Sequence, residues 1–500
     1  MTTRWRKALG ATLLVTLVAA GAACGDDDSG GSSGRTSVAI GETLAPPTLD
    51  ITTGSGAAIP QALLYNVYET LVKIDDAGEI QPLLAQEWTV SDDGLTYTFT
   101  LQDGVTFHTG EKMTAASVKA AFDHNAANEA APGIIKATFA PVESVEAPDD
   151  GTIVVKMKQP SRNFLFNIAQ TGGMVFPTSA LAEIATKPVG TGPFQFKEYV
   201  SNASLTMTRF PDYWGDEPAL ETVTFKYFAD ANALANAIKA GDIDIIDNIT
   251  PELFAQFQSD TANYETVEGQ TNGETIVAFN NSKAPLDDVR VRQALTYGVD
   301  KQAVVTAAEN GLAKIIGSHA SPNDPWFVDL SSTYPYDPEK AKQLLADAGV
   351  EDVKLTMQVP PTPYAKSVSQ IVQSQLKQIG VDVTLQDVEF PLWIDEVFTK
   401  ANYDLTVISH VEARDIDQYG NPEYYWRYDD PETQALLTEA EATVDEEKSN
   451  ELYQQVQERI NEQAVNNWLY LLPRLQVVKK GITGYPTTST SLSYDVTGIR

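Results

Sequence analysis

Residues 275–300 constrain the fold more than any other part of the chain. An apolar run at 276–279 reads as a strand, the polar residues 280–283 and Pro285 read as a turn, and a helix is expected to follow. Asp287 or Asp288 supplies an acceptor for the free N–H groups of its first turn. Val291, Ala294, Leu295 and Gly298 fall three and four apart on one face, and Asp300 caps a second helix. At 500 residues the chain is long enough to need two or three compact units. The segment is therefore expected to carry the chain out of one lobe and into another, with a ligand held between them.

The flanking sequence supplies two different patterns. Before the segment, short strands are expected at 37–41, 87–90, 95–101, 152–157, 194–197 and 205–209, with helices at 60–68 and from Thr114 to about 125. Leu95, Tyr97, Phe99 and Leu101 alternate and mark one buried face. A β-α-β unit covers 223–228, 231–240 and 243–246, its helix ended by Gly241. After the segment, helix and strand alternate regularly. A helix at 337–348 has Pro338 in its first turn and Gly349 just past its end. A second β-α-β unit covers 353–359, 365–379 and 381–385, and a further helix and strand fall at 392–399 and 403–408. Helices at 431–442 and 446–463 lead to an apolar run at 468–478, broken by Pro473, that returns the chain to the first lobe.

The N-terminus reads as an export signal. Arg4, Arg6 and Lys7 precede an apolar segment at 8–20, too short to span a bilayer, and the small residues Gly21, Ala22 and Ala23 precede Cys24, the only cysteine. The Gly-, Asp- and Ser-rich residues 25–34 cannot bury anything and read as a flexible linker. The net charge of -33, from 35 basic and 68 acidic residues, excludes a nucleic-acid surface, which needs clustered Lys and Arg. Gly190 and Gly192 have a spacing seen in phosphate loops, but no helix and no Gly-Lys-Ser/Thr follows them. There is no HExxH and no usable cysteine nucleophile, and a non-catalytic binding protein is the leading expectation. A secreted hydrolase, or a surface receptor or adhesin on the same fold, is the alternative.

Six motifs carry a resemblance. They are Gly94-Leu95-Thr96-Tyr97-Thr98-Phe99-Thr100-Leu101 followed by Asp103-Gly104-Val105-Thr106-Phe107-His108; Val189-Gly190-Thr191-Gly192-Pro193-Phe194; Asp212-Tyr213-Trp214-Gly215; Ala240-Gly241-Asp242-Ile243-Asp244; Asp288-Val289-Arg290-Val291-Arg292-Gln293-Ala294; and Tyr336-Asp337-Pro338-Glu339-Lys340-Ala341. In this order the chain resembles the extracytoplasmic solute-binding proteins of ABC importers, in the peptide, oligopeptide and nickel-binding family.

The resemblance implies an α/β, two-lobed fold of the type II periplasmic-binding-protein kind, with a hinge of crossing strands and capture of ligand by closure. The expected divisions are a signal peptide at 1–23 and a linker at 24–35, a first lobe at 36–275 with an extra subdomain at about 60–185, a second lobe at 276–470, and a return to the first lobe at 471–500. Cys24 resembles the lipidated cysteine of bacterial lipoproteins, which implies anchorage to the outer face of the cell membrane. The implied partners are a small polar solute, an ABC permease and its ATPase subunits, with the protein a monomer and no cofactor required.

In peptide-binding members, an acidic residue in a second-lobe loop pairs with the ligand's amino terminus. The matching region is 409–419, which makes Asp415 and Asp417 the candidates. The local pattern departs from the tryptophan- and aspartate-proline-containing form of peptide binders, so peptide, oligosaccharide and metal chelate all stay open as ligands. His410 and Glu412 are candidates for holding a chelate, while four histidines and one cysteine offer no bare metal site. Arg414 is placed to meet a carboxylate in two-pronged fashion. Tyr424, Tyr425 and Trp426 can stack on sugar rings, peptide aromatic groups or an organic cation. Trp393, and Tyr65 with Asn66 in the first lobe, complete the candidates.

Overall fold

Two long strands, Tyr264–Phe279 and Asn466–Lys479, join the halves of the molecule in its computed structural model, which describes residues 35–54 and 56–500. They run antiparallel and pair in three registers, 264–270 against 473–479, 274–275 against 470–471 and 276–278 against 466–468, with shifts between Gln270 and Glu274 and between Thr275 and Ile276. Pro473 does not end the strand as expected. It stands opposite Gln270 at the first shift, where the ladder is already interrupted and a missing N–H costs least. Ile276 pairs with Trp468, as two crossing strands require.

An eleven-stranded sheet extends from this pair in both directions. On the first-lobe side it continues through Ile245–Ile246, Ser37–Glu42, Thr222–Tyr227, Ser204–Arg209 and Phe194–Val200. On the second-lobe side Leu405–His410, Lys354–Val359 and Asp382–Asp387 follow, and Lys354–Val359 is parallel to both neighbours. One face of the second-lobe sheet packs on the helices Val289–Tyr297, Lys301–Ala308, Pro338–Ala348 and Pro363–Gln378 through Val291, Leu295, Val304, Leu345 and Val372. Side chains of that size each contribute about 1.5–3 kcal/mol when fully buried. A separate four-stranded sheet, Ala85–Val90, Thr96–Leu101, Thr152–Met157 and Val142–Glu146, has its own core around Phe99, Phe107, Phe122 and Phe164.

The six motifs turn out to be framework. Gly190 and Gly192 press against the backbone of residues 66 and 67, where an added Cβ would meet Val67 O at 2.0 Å and Asn66 O at 2.5 Å. His108 clamps the same turn: its Nδ1 accepts from Gly190 N–H at 3.3 Å, so Nε2–H donates to Gly192 O at 2.9 Å. Burial pushes its pKa down to about 4. Tyr213 OH and Trp214 Nε1–H donate to the buried Glu69 carboxyl at 2.8 and 2.9 Å. Gly241 closes its helix in the left-handed region at φ 88°, and Asp244 accepts from Ala39 N–H at 2.9 Å.

Asp288 caps the helix Val289–Tyr297 through Arg290 N–H, and the buried Arg292 donates to the carbonyls of Leu286, Gln463 and Ala464. Asp337 caps Pro338–Ala348.

Several local expectations change. The helix expected at 60–68 is Ala58–Leu63 and stops before Tyr65, whose φ is 63°. The helix expected at 392–399 begins at Phe390 and changes to π-helix over Ile394–Thr399. The strand expected at 276–279 starts at Tyr264, and Pro251–Gln258 is a helix not anticipated. The export signal, Cys24 and residues 24–34 of the linker lie outside the described residues; Arg35, at the linker's end, pairs with Asp244 at 3.2 Å. No helix among the described residues is long and apolar enough to cross a membrane.

Candidate functional site

The strand Leu405–His410 delivers its last residue next to the crossing strands, with His410 directly opposite Glu274. The chain then turns through Arg414, in the left-handed region at φ 62° and ψ 28°, into the 3-10 turn Asp415–Gly420. That geometry points Asp415 back toward two histidines. His319 Nε2 lies 2.8 Å from Asp415 Oδ1, and His410 Nδ1 lies 3.4 Å from Oδ2.

The outer nitrogens of both rings are also engaged. Tyr425 OH meets His410 Nε2 at 2.9 Å. Tyr419 OH, which itself accepts from Asn466, lies 3.2 Å from His319 Nδ1, and Trp468 Nε1–H points at the same nitrogen from 3.4 Å. Two donors aimed at Nδ1 make it the acceptor, so the His319 proton sits on Nε2 and is donated to Asp415. Burial alone would raise the Asp415 carboxyl, but His319 and His410 hold it well below the usual range.

These three side chains are the one group among the described residues whose donor atoms, all within 4.8 Å of each other, could hold a metal ion. Their partners favour a closed hydrogen-bond network instead: a metal on His319 Nε2 would force a proton onto Nδ1, toward the Trp468 and Tyr419 donors. Trp426 stacks on Tyr419 at 4.4 Å and Tyr424 packs on Trp426 at 4.4 Å, so the aromatic residues wall the network. Tyr425 and Trp426 are buried, while Tyr424 keeps partial exposure.

The next residues reach the first lobe. The Arg414 guanidinium lies 4.0 Å from the centre of the Phe166 ring and 5.3 Å from that of Trp326, and burial pushes its pKa down to about 10. Asp417 accepts from Asn163 Nδ2 at 3.3 Å and from Tyr453 OH at 3.2 Å. Glu441 shares both partners, at 3.3 and 3.1 Å, and also accepts from Ser161 Oγ at 2.6 Å. Arg162 pairs with Glu446, and its backbone N–H donates to Glu441 O at 3.1 Å. Residues 161–166 of the separate-sheet region thus touch the second lobe along a polar seam. Burial, then the neighbouring Glu441 charge, pushes Asp417 up to about 7, and burial raises Glu441 as well.

The remaining candidates lie apart. Glu412 is exposed and turns back to accept from Val411 N–H at 3.3 Å. Trp393 donates to Thr406 Oγ1 at 2.9 Å and lines a cavity of about 440 Å³ with Lys283, Gln358, Gln386, Glu396 and Asp404. Tyr65 donates to Ala169 O at 2.7 Å and borders a second cavity, of about 200 Å³, near Lys73 and Asp495. Asn66 uses its whole amide internally, on Ala62 O, Tyr494 O and Val496 N–H.

Sequence reasoning did not single out His319, Glu274, Asn163, Phe166, Glu441 or Tyr453 for the site. Only Glu274 carried a local signal, as an acid two positions before the apolar run at 276–279.

The chain belongs to the bacterial extracellular solute-binding proteins, family 5, whose model matches residues 79–434. Heme-binding protein A of Haemophilus influenzae is 30% identical over 469 residues, covering 82% of this chain and 83% of that one. A Brucella ovis relative, by name an ABC transporter peptide-binding protein, is 31% identical over 352 residues; the match spans 67% of this chain and 66% of the relative's length. The crystal structure of the ABC transporter substrate-binding protein CtaP of Listeria monocytogenes superposes with a TM-score of 0.84 at 25% identity, covering 93% of this chain and 99% of that one. The architecture is therefore that of the two-lobed periplasmic solute-binding proteins.

Proposed function

We propose that this protein is the extracytoplasmic solute-binding component of an ABC importer. It captures a peptide or similar polar solute between its lobes and delivers it to a membrane permease driven by ATPase subunits. The observation that carries this reading is the polar seam at Ser161, Asn163, Asp417 and Glu441, which joins residues of opposite lobes and gives closure a set of contacts to make and break. The names of the relatives support it. Beyond the Brucella protein, a relative in Escherichia coli is a dipeptide-binding protein, 28% identical over 458 residues.

In this reading the lobes divide at residues 36–275, 276–470 and 471–500, with the extra subdomain at about 60–185. Arg414, Tyr424 and the 409–419 loop face the solute. Residues 1–23 direct export, Cys24 carries the lipid that holds a monomer to the outer face of the membrane, and no chemical step is performed on the solute. The test is native mass spectrometry of protein purified from its own host, followed by release of whatever co-purifies. A peptide released intact is the expected result; a sugar, or a ligand converted to product on incubation, overturns it.

A further inference from the structure

Glu274 stands at the register shift of the crossing strands, where the two lobes meet, and is only 3% exposed. Among the described residues none other donates a hydrogen bond to its carboxylate, and Oε2 is buried without a partner there. An unpaired buried carboxyl group costs about 1–3 kcal/mol or more, so one retained at a lobe junction calls for a reason.

Its surroundings sharpen the question. His410 is its cross-strand neighbour, but that ring is committed to Asp415 and Tyr425. Arg414 stacks on Phe166 and Trp326. The charges that act on Glu274 are the carboxylates of Asp415, Asp324 and Glu412, all of its own sign. Asp415 is satisfied by its histidines and Asp324 by Ser321 N–H at 2.7 Å, which leaves Glu274 as the member of the group with an open acceptor. Beside it, Asn272 spans the junction, donating to Ser489 O on one side and accepting from Ser321 Oγ on the other.

We infer that Glu274 is the residue that recognises a cationic group of the solute, a primary ammonium such as a peptide's amino terminus. Asp324 and Asp415 add a negative field around it. The inference rests on the peptide-binding reading above and moves the ion pair from the 409–419 loop to the hinge strand. The fit is chemical: an ammonium brings three donors and a positive charge to a buried acceptor surrounded by like charge, and one ion pair satisfies both groups. It also couples recognition to closure. The paired ammonium is shielded only when the lobes come together, so a cationic solute favours the closed state and a neutral one does not.

The experiment compares wild type with Glu274→Gln, titrated calorimetrically with a pool of tri- to pentapeptides and with the same pool acetylated at its amino termini. Melting curves establish that the variant is folded, and Glu274→Asp serves as a second variant that keeps the charge. The expected result is that wild type prefers the free-amine pool about ten-fold or more, that Glu274→Gln abolishes this preference, and that Glu274→Asp keeps part of it. If Glu274→Gln binds the free-amine pool as wild type does, the inference falls while the peptide reading stands. If wild type binds neither pool, the peptide reading falls and takes the inference with it.

Discussion

The Ser161 hydroxyl and the Glu441 carboxylate meet at 2.6 Å although 280 residues separate them in the chain. The contact joins a loop beside the separate four-stranded sheet to a helix of the second lobe, and under the proposed capture mechanism it belongs to the closed form. Ser161→Ala leaves one Glu441 oxygen without its donor in the closed form and costs that form about 1–3 kcal/mol. The solute-free variant is expected to show a larger radius of gyration by small-angle scattering than wild type, at an unchanged far-ultraviolet dichroism spectrum.

Asp417 and Glu441 share one tyrosine hydroxyl and one asparagine amide, and both carboxyls are raised by burial, Asp417 to about 7. A group whose folded pKa exceeds its unfolded value binds a proton that the unfolded chain lacks between the two values. Its stabilising contribution is therefore present at low pH and lost as pH rises through the folded value. With Glu441, Tyr453, Asn163 and Asp415 as the facing groups, Asp417→Asn is expected to melt close to wild type near pH 4 and above it near pH 8. Thermal melts across that window check the divergence.

Arg474 sits buried beside Asp247, donating from Nε at 2.9 Å, and Asp247 adjoins Glu42, whose carboxyl burial and Asp247 push well up. Removing the cation leaves two buried acids facing each other. Arg474→Ala is expected to destabilise the protein by about 3–5 kcal/mol, measured by chemical denaturation.

A Cβ added at Gly192 would meet the Asn66 carbonyl oxygen at 2.5 Å, with no side chain there to yield. Gly192→Ala forces the backbone apart there and is expected to lower stability by about 1–3 kcal/mol, together with a shift in the melting temperature. A phosphate-binding loop would tolerate the change structurally and lose a ligand instead.

These residues show why some of the molecule is legible in the sequence and some is not. Capped helices announce themselves within a few positions: Asp337 with Pro338 and Gly349, or the helix at 231–240 closed by Gly241, need only local geometry, and both elements fall where the pattern places them. The same holds for the alternating strand Thr96–Leu101. The six family motifs were legible too, yet each is occupied with turns, caps and clamps, as His108 on Gly192 and Trp214 on Glu69 illustrate.

The site was harder because its partners are remote. Asp415 was visible as an acid in the right loop, but nothing near it in sequence reveals that His319, 96 positions away, already holds it. Asn66 looked available beside Tyr65 until the C-terminal segment, through Tyr494 and Val496, took up its amide. The strand Tyr264–Phe279 was half hidden because its first residues alternate with solvent, while only its end is continuously buried.

The pairing of Asn466–Lys479 between Tyr264–Phe279 and Ile245–Ile246 has a consequence for the order of assembly. The first-lobe sheet lacks an interior strand until residue 479 has been made, so it cannot be completed during synthesis of the preceding sequence. Sequence-distant pairing of this kind is slow to form and leaves edges open meanwhile. A truncation before residue 466 should therefore yield an incomplete first lobe with exposed strand edges, prone to aggregate. The lobes have separate cores but no independent biogenesis.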